Sequence, residues 1–413
     1  MEVINVAIKQ KRYAFTGPFA DINFGDYAML INNIYDLNIN ECTIFSYDTH
    51  FSKSIKEDYL DSIDINILEV NLIEKEIDKK NITPFEILNF VKNKGTLYDE
   101  IDKIDTLIVN GGGYFNGLWS MPHRIERLTK IIVPILIANQ LNKEIIFTGN
   151  GYGPFGEDEE FFSTIFNVLK NVSYGSRDNL YSPVWLNKLG VKSNSVELVP
   201  DDLLIVNSKL KNMPQKFDIQ SNKYIVMETY LSIDYLKENI DSIKSFSEVI
   251  KQNYNMDIVF LPLNLEHGGM NQALYLKEEL DNYEFVDIRK TGYLPIQDAG
   301  NIIHNAELVI CSRYHALVFA LSNKTPVISV LKEVMQSNKY YYNKNFGVLR
   351  QVFDKLTIHE HMYLAENYIE SLDHIKNNFA EIIKYQKNNY NDTKFDENII
   401  TQGEVREAYL SRK

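Results

Sequence analysis

Arg313 and His315 are the residues of this 413-residue sequence whose types and spacing best suit chemistry. They follow the apolar run from Leu308 to Cys311, an amphipathic stretch of helix length comes next, and a second apolar run begins after Pro326. This order predicts a strand, a turn, a helix and another strand. Arginine offers a rigid fork for carboxylate or phosphate, and histidine transfers protons near neutral pH. The pair predicts an acidic substrate and an acid–base step. When residues 313–315 are considered alone, the alternative is an arginine that caps a backbone carbonyl and a histidine that lies on a helix surface.

A second arginine, Arg177, occupies a similar place in the first half of the chain. The residues from Ser173 to Ser176 form a strand pattern, so Arg177 and Asp178 lie at its carboxyl end. Ligands of open parallel sheets bind at the carboxyl ends of strands. Arg177 is therefore a candidate anion contact, and a structural ion pair with Asp178 or a neighbour is an equally weighted alternative.

The segment around Gly25 leads from a loop into a periodic helix pattern. Gly25 can admit a ligand close to the backbone at this helix start. Asn23 and Asp26 can cap the helix or contact a sugar hydroxyl. The cluster predicts a ligand contact, and capping alone is the alternative.

Consecutive glycines come directly after the buried strand pattern of residues 105–110. Glycine costs conformational entropy in an ordered backbone, so a run of three is expected where the chain turns tightly or admits a ligand. Gly112 and Gly113 are therefore candidate site residues.

Gly151, Gly153 and Gly156 satisfy the GxGxxG spacing of dinucleotide-binding loops. We reject that function, because the motif comes late in the chain, contains a proline and precedes the acidic run 157–160. Gly151 is instead predicted in the wall of a cleft. His267 comes after another strand pattern and is a candidate acceptor contact, with an ordinary loop histidine as the alternative.

Alternating strand and helix patterns run along both halves of the chain, on either side of a stretch poor in apolar residues at 207–222. Such alternation predicts doubly wound parallel sheets, and 413 residues exceed what one core supports. We therefore predict an α/β fold with two doubly wound, Rossmann-like domains, at 1–206 and 223–356, facing each other across a ligand cleft. The stretch 207–222 is the predicted linker, and 357–413 is a predicted helical tail.

The local patterns also predict three further elements. Residues 1–8 are predicted as the first strand, 234–253 as one helix and 285–288 as a strand. The charged insertion at 60–96 receives no assignment.

Composition narrows the classes of protein to consider. A net charge of −13 argues against nucleic-acid binding, which needs clustered lysine and arginine. Cys42 and Cys311 have no CxxC spacing and predict neither a disulfide framework nor a thiolate zinc site. His359 and His361 are not spaced as helical metal ligands, and we predict no metal site. The chain has neither an apolar run of membrane-spanning length nor a secretory signal pattern, so a soluble, cytoplasmic protein is expected.

Taken in order, the motifs resemble the polysaccharide pyruvyl transferase family, whose members move the enolpyruvyl carbons of phosphoenolpyruvate onto a sugar as a ketal. The segments that carry the resemblance are Asn23-Phe24-Gly25-Asp26, Gly111-Gly112-Gly113, Gly149-Asn150-Gly151-Tyr152-Gly153-Pro154, Ser176-Arg177-Asp178 with Leu189-Gly190, Pro200-Asp201, and Arg313-Tyr314-His315-Ala316 through Pro326. Two details depart from the family pattern. Tyr314 stands where leucine is expected and can reshape the acceptor side, and Pro200-Asp201-Asp202 stands where Asp-Pro is expected.

The resemblance implies a GT-B-like arrangement, with the acceptor on the first domain and the donor on the second. It implies that Arg177 and Arg313 hold the donor anions and that His315 is the catalytic residue, a general acid in its imidazolium form. Phosphoenolpyruvate is then the donor substrate, a free or carrier-linked saccharide is the acceptor, and no cofactor or metal is required. The substrate-binding candidates are Asn23, Gly25, Asp26, Gly112, Gly113, Gly151, Arg177, His267 and Tyr314.

Two alternatives stay open at this point. One is a GT-B glycosyltransferase that uses a nucleotide sugar, and the other is a non-catalytic glycan-binding protein of the same fold. The acceptor sugar, its carrier and the oligomeric state also stay open, a homo-oligomer included.

Overall fold

The computed structural model of the protein describes residues 11–19, 23–47, 49–73, 79, 82–334, 338–353 and 357–412. The strand predicted at residues 1–8 lies outside the described residues. Two parallel sheets with flanking helices form two Rossmann-like domains, which confirms the predicted fold class.

The first domain is built on a sheet of eight strands in the described part of the chain. They are β1 (Tyr13–Thr16), β2 (Glu41–Ser46), β3 (Asp64–Glu69), β4 (Thr106–Val109), β5 (Gly112–Phe115), β6 (Glu144–Tyr152), β7 (Val172–Ser176) and β8 (Val196–Leu198). Their order is β3-β2-β1-β4-β6-β7-β8, β5 pairs with β6, and all pairs are parallel. Every residue of β4 is buried, as expected for a parallel sheet covered on both faces.

Seven helices accompany these strands in the described residues. They are α1 (Phe24–Asp36), α2 (Thr49–Tyr59), α3 (Pro84–Asn89), α4 (Lys94–Lys103), α5 (Ile125–Gln140), α6 (Glu159–Phe166) and α7 (Ser182–Lys188). The insertion left unassigned by the sequence supplies β3 and α3. Thr83 and Glu86 form a capping box that starts α3, because each side chain accepts a hydrogen bond from the other residue's backbone amide.

The second domain begins after a short helix, α8 (Ser208–Lys211), in the predicted linker. Its strands are β9 (Tyr224–Met227), β10 (Asp257–Phe260), β11 (Tyr283–Phe285), β12 (Leu308–Cys311), β13 (Val327–Val330) and β14 (Leu364–Ala365), in the parallel order β11-β10-β9-β12-β13-β14. Its helices before the C-terminal segment are α9 (Ile233–Glu238), α10 (Ile240–Tyr254), α11 (Met270–Glu279), α12 (Ile296–His304), α13 (Tyr314–Ser322) and α14 (Lys339–Val352).

Two local predictions for this domain were wrong. The helix predicted at 234–253 is divided into α9 and α10, because Asn239 leaves the helical conformation and its side-chain amide donates to the carbonyl of Tyr235. The strand predicted at 285–288 ends at Phe285. The side chain of Asp287 accepts from the amide of Arg289 and starts a short 3₁₀ turn instead.

The C-terminal segment contributes to both domains. It contains β14, which pairs with β13, and then α15 (Tyr368–Tyr390) and α16 (Thr393–Leu410). From α16, the guanidinium of Arg406 donates to Asp202 at 2.6 Å and the hydroxyl of Tyr409 donates to the carbonyl of Phe147 at 2.8 Å. The last helix therefore fastens onto the first domain.

The start of α1 contacts the second domain directly. The amide of Phe24 donates to the carbonyl of Leu263 at 2.9 Å, and the ring of Phe24 packs edge-on against Phe319 at 4.9 Å between centroids. The carboxyl ends of the two sheets consequently line one cleft. Among the described residues, no helix is both long and apolar enough to cross a membrane.

Candidate active site

A cavity of about 380 Å³ lies between the domains, where strands of both sheets end. Eight of the residues singled out from the sequence line it. They are Asn23, Asp26, Gly113, Arg177, His267, Arg313, Tyr314 and His315. The cavity thus brings together groups that are separated by up to about three hundred positions in the chain.

Arg313 is held by the buried carboxylate of Glu228, which comes directly after β9. The amides of Ser312 and Arg313 donate to Glu228 Oε2 at 3.0 and 2.8 Å, and Arg313 Nε lies 3.0 Å from Oε1 in an ion pair. The guanidinium carbon lies 4.4 Å from the ring centre of Tyr230. Burial raises the pKa of Glu228, while Arg313 and the two amides oppose that shift. Glu228 therefore fixes both the turn after β12 and the arginine side chain.

The far end of the Arg313 guanidinium joins the two sides of the cleft. It donates to Asn23 Oδ1 of the first domain at 3.3 Å and to the backbone carbonyl of His267. Asn23 is the N-cap residue of α1, but its side chain makes no capping hydrogen bond and its Nδ2 instead donates to Asp26 at 3.0 Å. The capping alternative for Asn23 is thus replaced by a contact between domains.

Arg177 has a matching arrangement in the first domain. Its Nη1 donates at 2.9 Å to Asp201, whose side chain is fully buried, and its guanidinium carbon lies 4.3 Å from the ring centre of Tyr314. Its Nε is buried without a hydrogen-bond partner. Asp178 is not the partner of Arg177, because Asp178 accepts the amides of residues 180–182 at the start of α7.

Glycines leave the space that the Arg177 guanidinium occupies. A Cβ on Gly113 would lie 3.0 Å from Nη2, and one on Gly151 would lie 3.3 Å from Nε. Gly151 faces the arginine and does not line the cavity. Gly112 also does not line it; its φ of +142° is a conformation that favours glycine, and a Cβ there would meet the ring of Tyr114 at 2.9 Å.

His315 lies in the first turn of α13, directly against the backbone of Gly25. A Cβ on Gly25 would fall 1.7 Å from His315 Nδ1, so the close approach predicted for Gly25 is to this imidazole. The Nε2 atom is shielded from water and has no hydrogen-bond partner. Burial lowers the pKa of His315 well below its ordinary value, and Arg177, Lys344 and Arg313 lower it further. This histidine is therefore neutral at pH 7 in this structure.

Sequence reasoning missed two groups that line the same cavity. One is on α14, where the hydroxyl of Tyr340 donates to the carbonyl of Gly113 at 2.9 Å and Lys344 lies among tyrosine rings. The other group lies just before α5 or in its first turn. It comprises Trp119, His123, Arg124 and Arg127. The aromatic run 340–342 just before a lysine was the available signal for the first group, and the closely spaced basic residues at 123–127 for the second.

The charge of the cavity contrasts with that of the whole chain. Five arginine and lysine residues line it, against two acidic ones, in a protein whose net charge is −13. The basic residues are Arg124, Arg127, Arg177, Arg313 and Lys344, and the acidic ones are Asp26 and Glu266. Such a concentration of basic side chains attracts anionic ligands.

Comparison with solved structures shows the fold. The chain is similar to the UDP-GlcNAc 2-epimerase from Neisseria meningitidis bound to UDP-GlcNAc, at 13% identity over 95% of this chain and 98% of that chain, with a TM-score of 0.54. It is also similar to Anabaena HepE in complex with UDP-glucose, at 10% identity over 97% and 99% of the two chains and a TM-score of 0.55. A glycosyltransferase from Rickettsia africae matches at 13% identity over 98% and 100%, with a TM-score of 0.52. These likenesses establish the GT-B-type arrangement.

Comparison with sequence families is more specific. No curated protein matches the chain. The family model described as polysaccharide pyruvyl transferase matches residues 23–331, which is well over half of the chain and includes Arg177, Arg313 and His315. The chain belongs to the polysaccharide pyruvyl transferase family.

Proposed function

We propose that the protein transfers the enolpyruvyl carbons of phosphoenolpyruvate to a saccharide as a ketal, in the synthesis of surface polysaccharides. The observation that supports this most strongly is the convergence of Arg177, Arg313 and His315 on one cavity from two domains. Each arginine is oriented by its own buried carboxylate. A donor with a carboxylate and a phosphate matches two such forks.

The reaction needs proton transfer at four atoms. The donor's methylene carbon gains a proton and becomes a methyl group, two acceptor hydroxyls each lose a proton as their oxygens bond to the central carbon, and phosphate leaves. One hydroxyl proton balances the methyl group and the other balances the released hydrogen phosphate. The reaction therefore requires an acid and a base positioned at the reacting atoms, and the proton balance involves no metal.

His315 is the proposed acid, and its surroundings explain how it becomes charged. Without a bound anion, burial and the neighbouring basic groups of Arg177, Lys344 and Arg313 hold the pKa of His315 well below its ordinary value. The carboxylate and phosphate of the donor bring full negative charges to the same cavity, which raises that pKa. His315 then carries a proton in the donor complex, when the methylene carbon needs one.

The acceptor is proposed to enter along the rim of the cavity. Asp26, Glu266 and His267 line this space and supply hydrogen-bonding groups for sugar hydroxyls, while Trp119 supplies an aromatic surface. Tyr314 lies against Arg177, so its ring supports the donor arginine. We propose a cytoplasmic enzyme because phosphoenolpyruvate is a metabolite of that compartment.

Ligand-induced thermal stabilisation tests the donor. Phosphoenolpyruvate is expected to raise the melting temperature, because a ligand that binds only the folded state stabilises it by mass action. UDP-sugars serve as the comparison. Stabilisation by UDP-sugars alone would favour a glycosyltransferase. If neither phosphoenolpyruvate nor UDP-sugars stabilise the protein but neutral glycans bind to it, a non-catalytic glycan-binding protein would be favoured. Release of phosphate in the presence of a galactoside or N-acetylhexosamine acceptor then tests turnover.

A further inference from the structure

Lys344 lies in the cavity on α14, beyond the end of the family match at residue 331. Its Nζ is 4.0, 4.9 and 5.3 Å from the ring centres of Tyr341, Tyr340 and Tyr314. These rings enclose the side chain and direct its amine at the space between the domains.

The electrostatic situation of Lys344 differs from that of the two donor arginines. Arg177 is paired with Asp201 and Arg313 with Glu228, so the charges of both arginines are balanced before any ligand arrives. Within the residues that the structure describes, Lys344 has no carboxylate at ion-pair distance; its contacts are the aromatic rings.

A half-buried amine without a carboxylate partner is shifted toward its neutral form. Burial lowers the pKa of Lys344 well below its ordinary value, Arg177 and Arg313 lower it further, and Asp201 and Asp26 oppose the shift. The groups that face the amine are Asp26 on α1, Arg177 after β7, Asp201 after β8, Arg313 after β12, Tyr314 and His315 on α13, and Tyr340 and Tyr341 on α14. An anion that enters this cavity would be the partner that the amine lacks.

We propose that Lys344 is a donor-binding residue, which takes up a proton as the donor anion enters and thereby supplies the positive charge that the two paired arginines do not. This inference rests on the proposed function, because it assigns the donor as the anion. It separates two tasks: the arginine forks orient the anionic groups, and the lysine balances their charge. The binding cavity therefore gains net charge only when it is occupied.

Calorimetric titration with phosphoenolpyruvate tests the proposal through four proteins. They are the unmodified protein, Lys344→Met, Lys344→Arg, and Arg350→Met as the matched loss of one positive charge on the exposed side of the same helix. Lys344→Met is expected to weaken donor binding roughly 10- to 100-fold, the range for a lost hydrogen bond to a charged group. Arg350→Met is expected to bind normally, and Lys344→Arg is expected to retain most of the affinity.

Proton uptake is the readout that a merely structural lysine would not change. Titrations in two buffers with different ionisation enthalpies measure the protons bound with the donor. Because arginine is already charged, Lys344→Arg is expected to take up about one proton fewer than the unmodified protein. Donor affinity of the unmodified protein is expected to depend on pH between two limits, the pKa of Lys344 in the ligand-free protein and the higher pKa of Lys344 in the complex. Between these limits the affinity falls as pH rises. His315→Gln is also expected to take up about one proton fewer, because His315 gains a proton in the donor complex, and the proton that this variant still takes up is the one assigned to Lys344.

The two possible failures are distinguishable. If the unmodified protein binds neither phosphoenolpyruvate nor inorganic phosphate, the proposed function is wrong. If it binds phosphoenolpyruvate and a folded Lys344→Met binds it equally well, or if Lys344→Arg takes up as many protons as the unmodified protein, the assignment to Lys344 is wrong. Should Lys344→Met not fold, as judged by circular dichroism, the proton count of Lys344→Arg decides.

Discussion

Each of the two domains forms one wall of the cleft, and each wall holds an arginine in the same way but with different residues. In each domain a Ser-Arg pair lies at the carboxyl end of a strand, at 176–177 and 312–313, and a buried carboxylate from a neighbouring strand end holds the arginine. An aromatic ring lies against each guanidinium, Tyr314 against Arg177 and Tyr230 against Arg313. Two doubly wound sheets place these pairs opposite one another because both present the carboxyl ends of their strands to the cleft.

The walls differ in the residues that come directly after the arginine. After Arg177, the carboxylate of Asp178 is used to start a short helix. After Arg313, the chain enters α13 at once and places His315 in its first turn, facing Gly25 of the other domain. Both walls present an arginine to the cavity, but of these two turns the second alone carries a histidine. In the proposed reaction, anion binding is thus shared between the domains, whereas acid–base chemistry belongs to one of them.

Replacing His315 tests the difference between the walls and should have the largest effect. His315→Gln is expected to lower turnover by roughly 10² to 10⁴, the usual contribution of a general acid or base, and to leave donor binding largely intact. Phosphate release and calorimetric donor binding measure the two quantities on the same sample. His304→Gln, at an exposed position on α12, is the control. Turnover of His315→Gln within a few-fold of the unmodified enzyme would return this histidine to a structural role.

Breaking each arginine pair tests the similarity between the walls. Arg177→Met leaves Asp201 buried without its cation and is expected to cost about 3 to 5 kcal/mol of folding stability. Arg313→Met is expected to cost less, because two backbone amides still donate to Glu228. Both variants should weaken phosphoenolpyruvate binding by about 2 to 5 kcal/mol. Urea unfolding and calorimetry measure the two effects.

A double variant separates folding from binding in the first wall. Arg177→Met with Asp201→Asn removes both charges, so it is expected to recover most of the lost stability but none of the lost donor affinity. Recovery of donor affinity in this double variant would show that Arg177 serves the fold alone.

The contact between Gly25 of the first domain and His315 of the second allows a test of whether the first domain holds the His315 imidazole in place. Gly25→Ala puts a methyl group on the imidazole and is expected to displace it, at a cost of about 1 to 3 kcal/mol in stability and with reduced turnover. Gly95→Ala is the matched control, because a Cβ at Gly95 meets no atom within 4 Å. A Gly25→Ala enzyme with normal turnover would contradict a fixed position for His315.

The pH dependence of stability gives the smallest predicted effect. The pKa of His315 in the folded protein is lowered by burial and by the neighbouring basic groups of Arg177, Lys344 and Arg313. Below about pH 6.5 the unfolded chain gains a proton at this residue that the folded protein does not, so the free energy of unfolding falls by up to about 1.4 kcal/mol per pH unit. Urea unfolding at about pH 7.5 and about pH 5.5, on either side of that unfolded-state pKa, should show a shallower decrease for His315→Gln than for the unmodified protein. Equal decreases would show that His315 is not held neutral.

Local pattern was sufficient for most of the fold and for the central residues of the site. The buried strand β12 was located to the residue because an apolar run bounded by polar residues identifies a strand without knowledge of its neighbours. The same local reasoning placed Arg313 and His315 at a strand end and a helix start. It was wrong where a side chain interrupts regular structure, as Asn239 does between α9 and α10.

The partners of those residues were decided by tertiary packing. Glu228 and Arg313 are 85 positions apart, and Asn23 and Arg313 are 290 apart, so no local pattern relates them. Local pattern also could not show that Gly25 supports an imidazole or that Lys344 points into the cavity, since both facts depend on the docking of the two domains. Periodicity determines which residues face a core or a strand end, whereas the distances and charges that make a site arise only when separate elements meet.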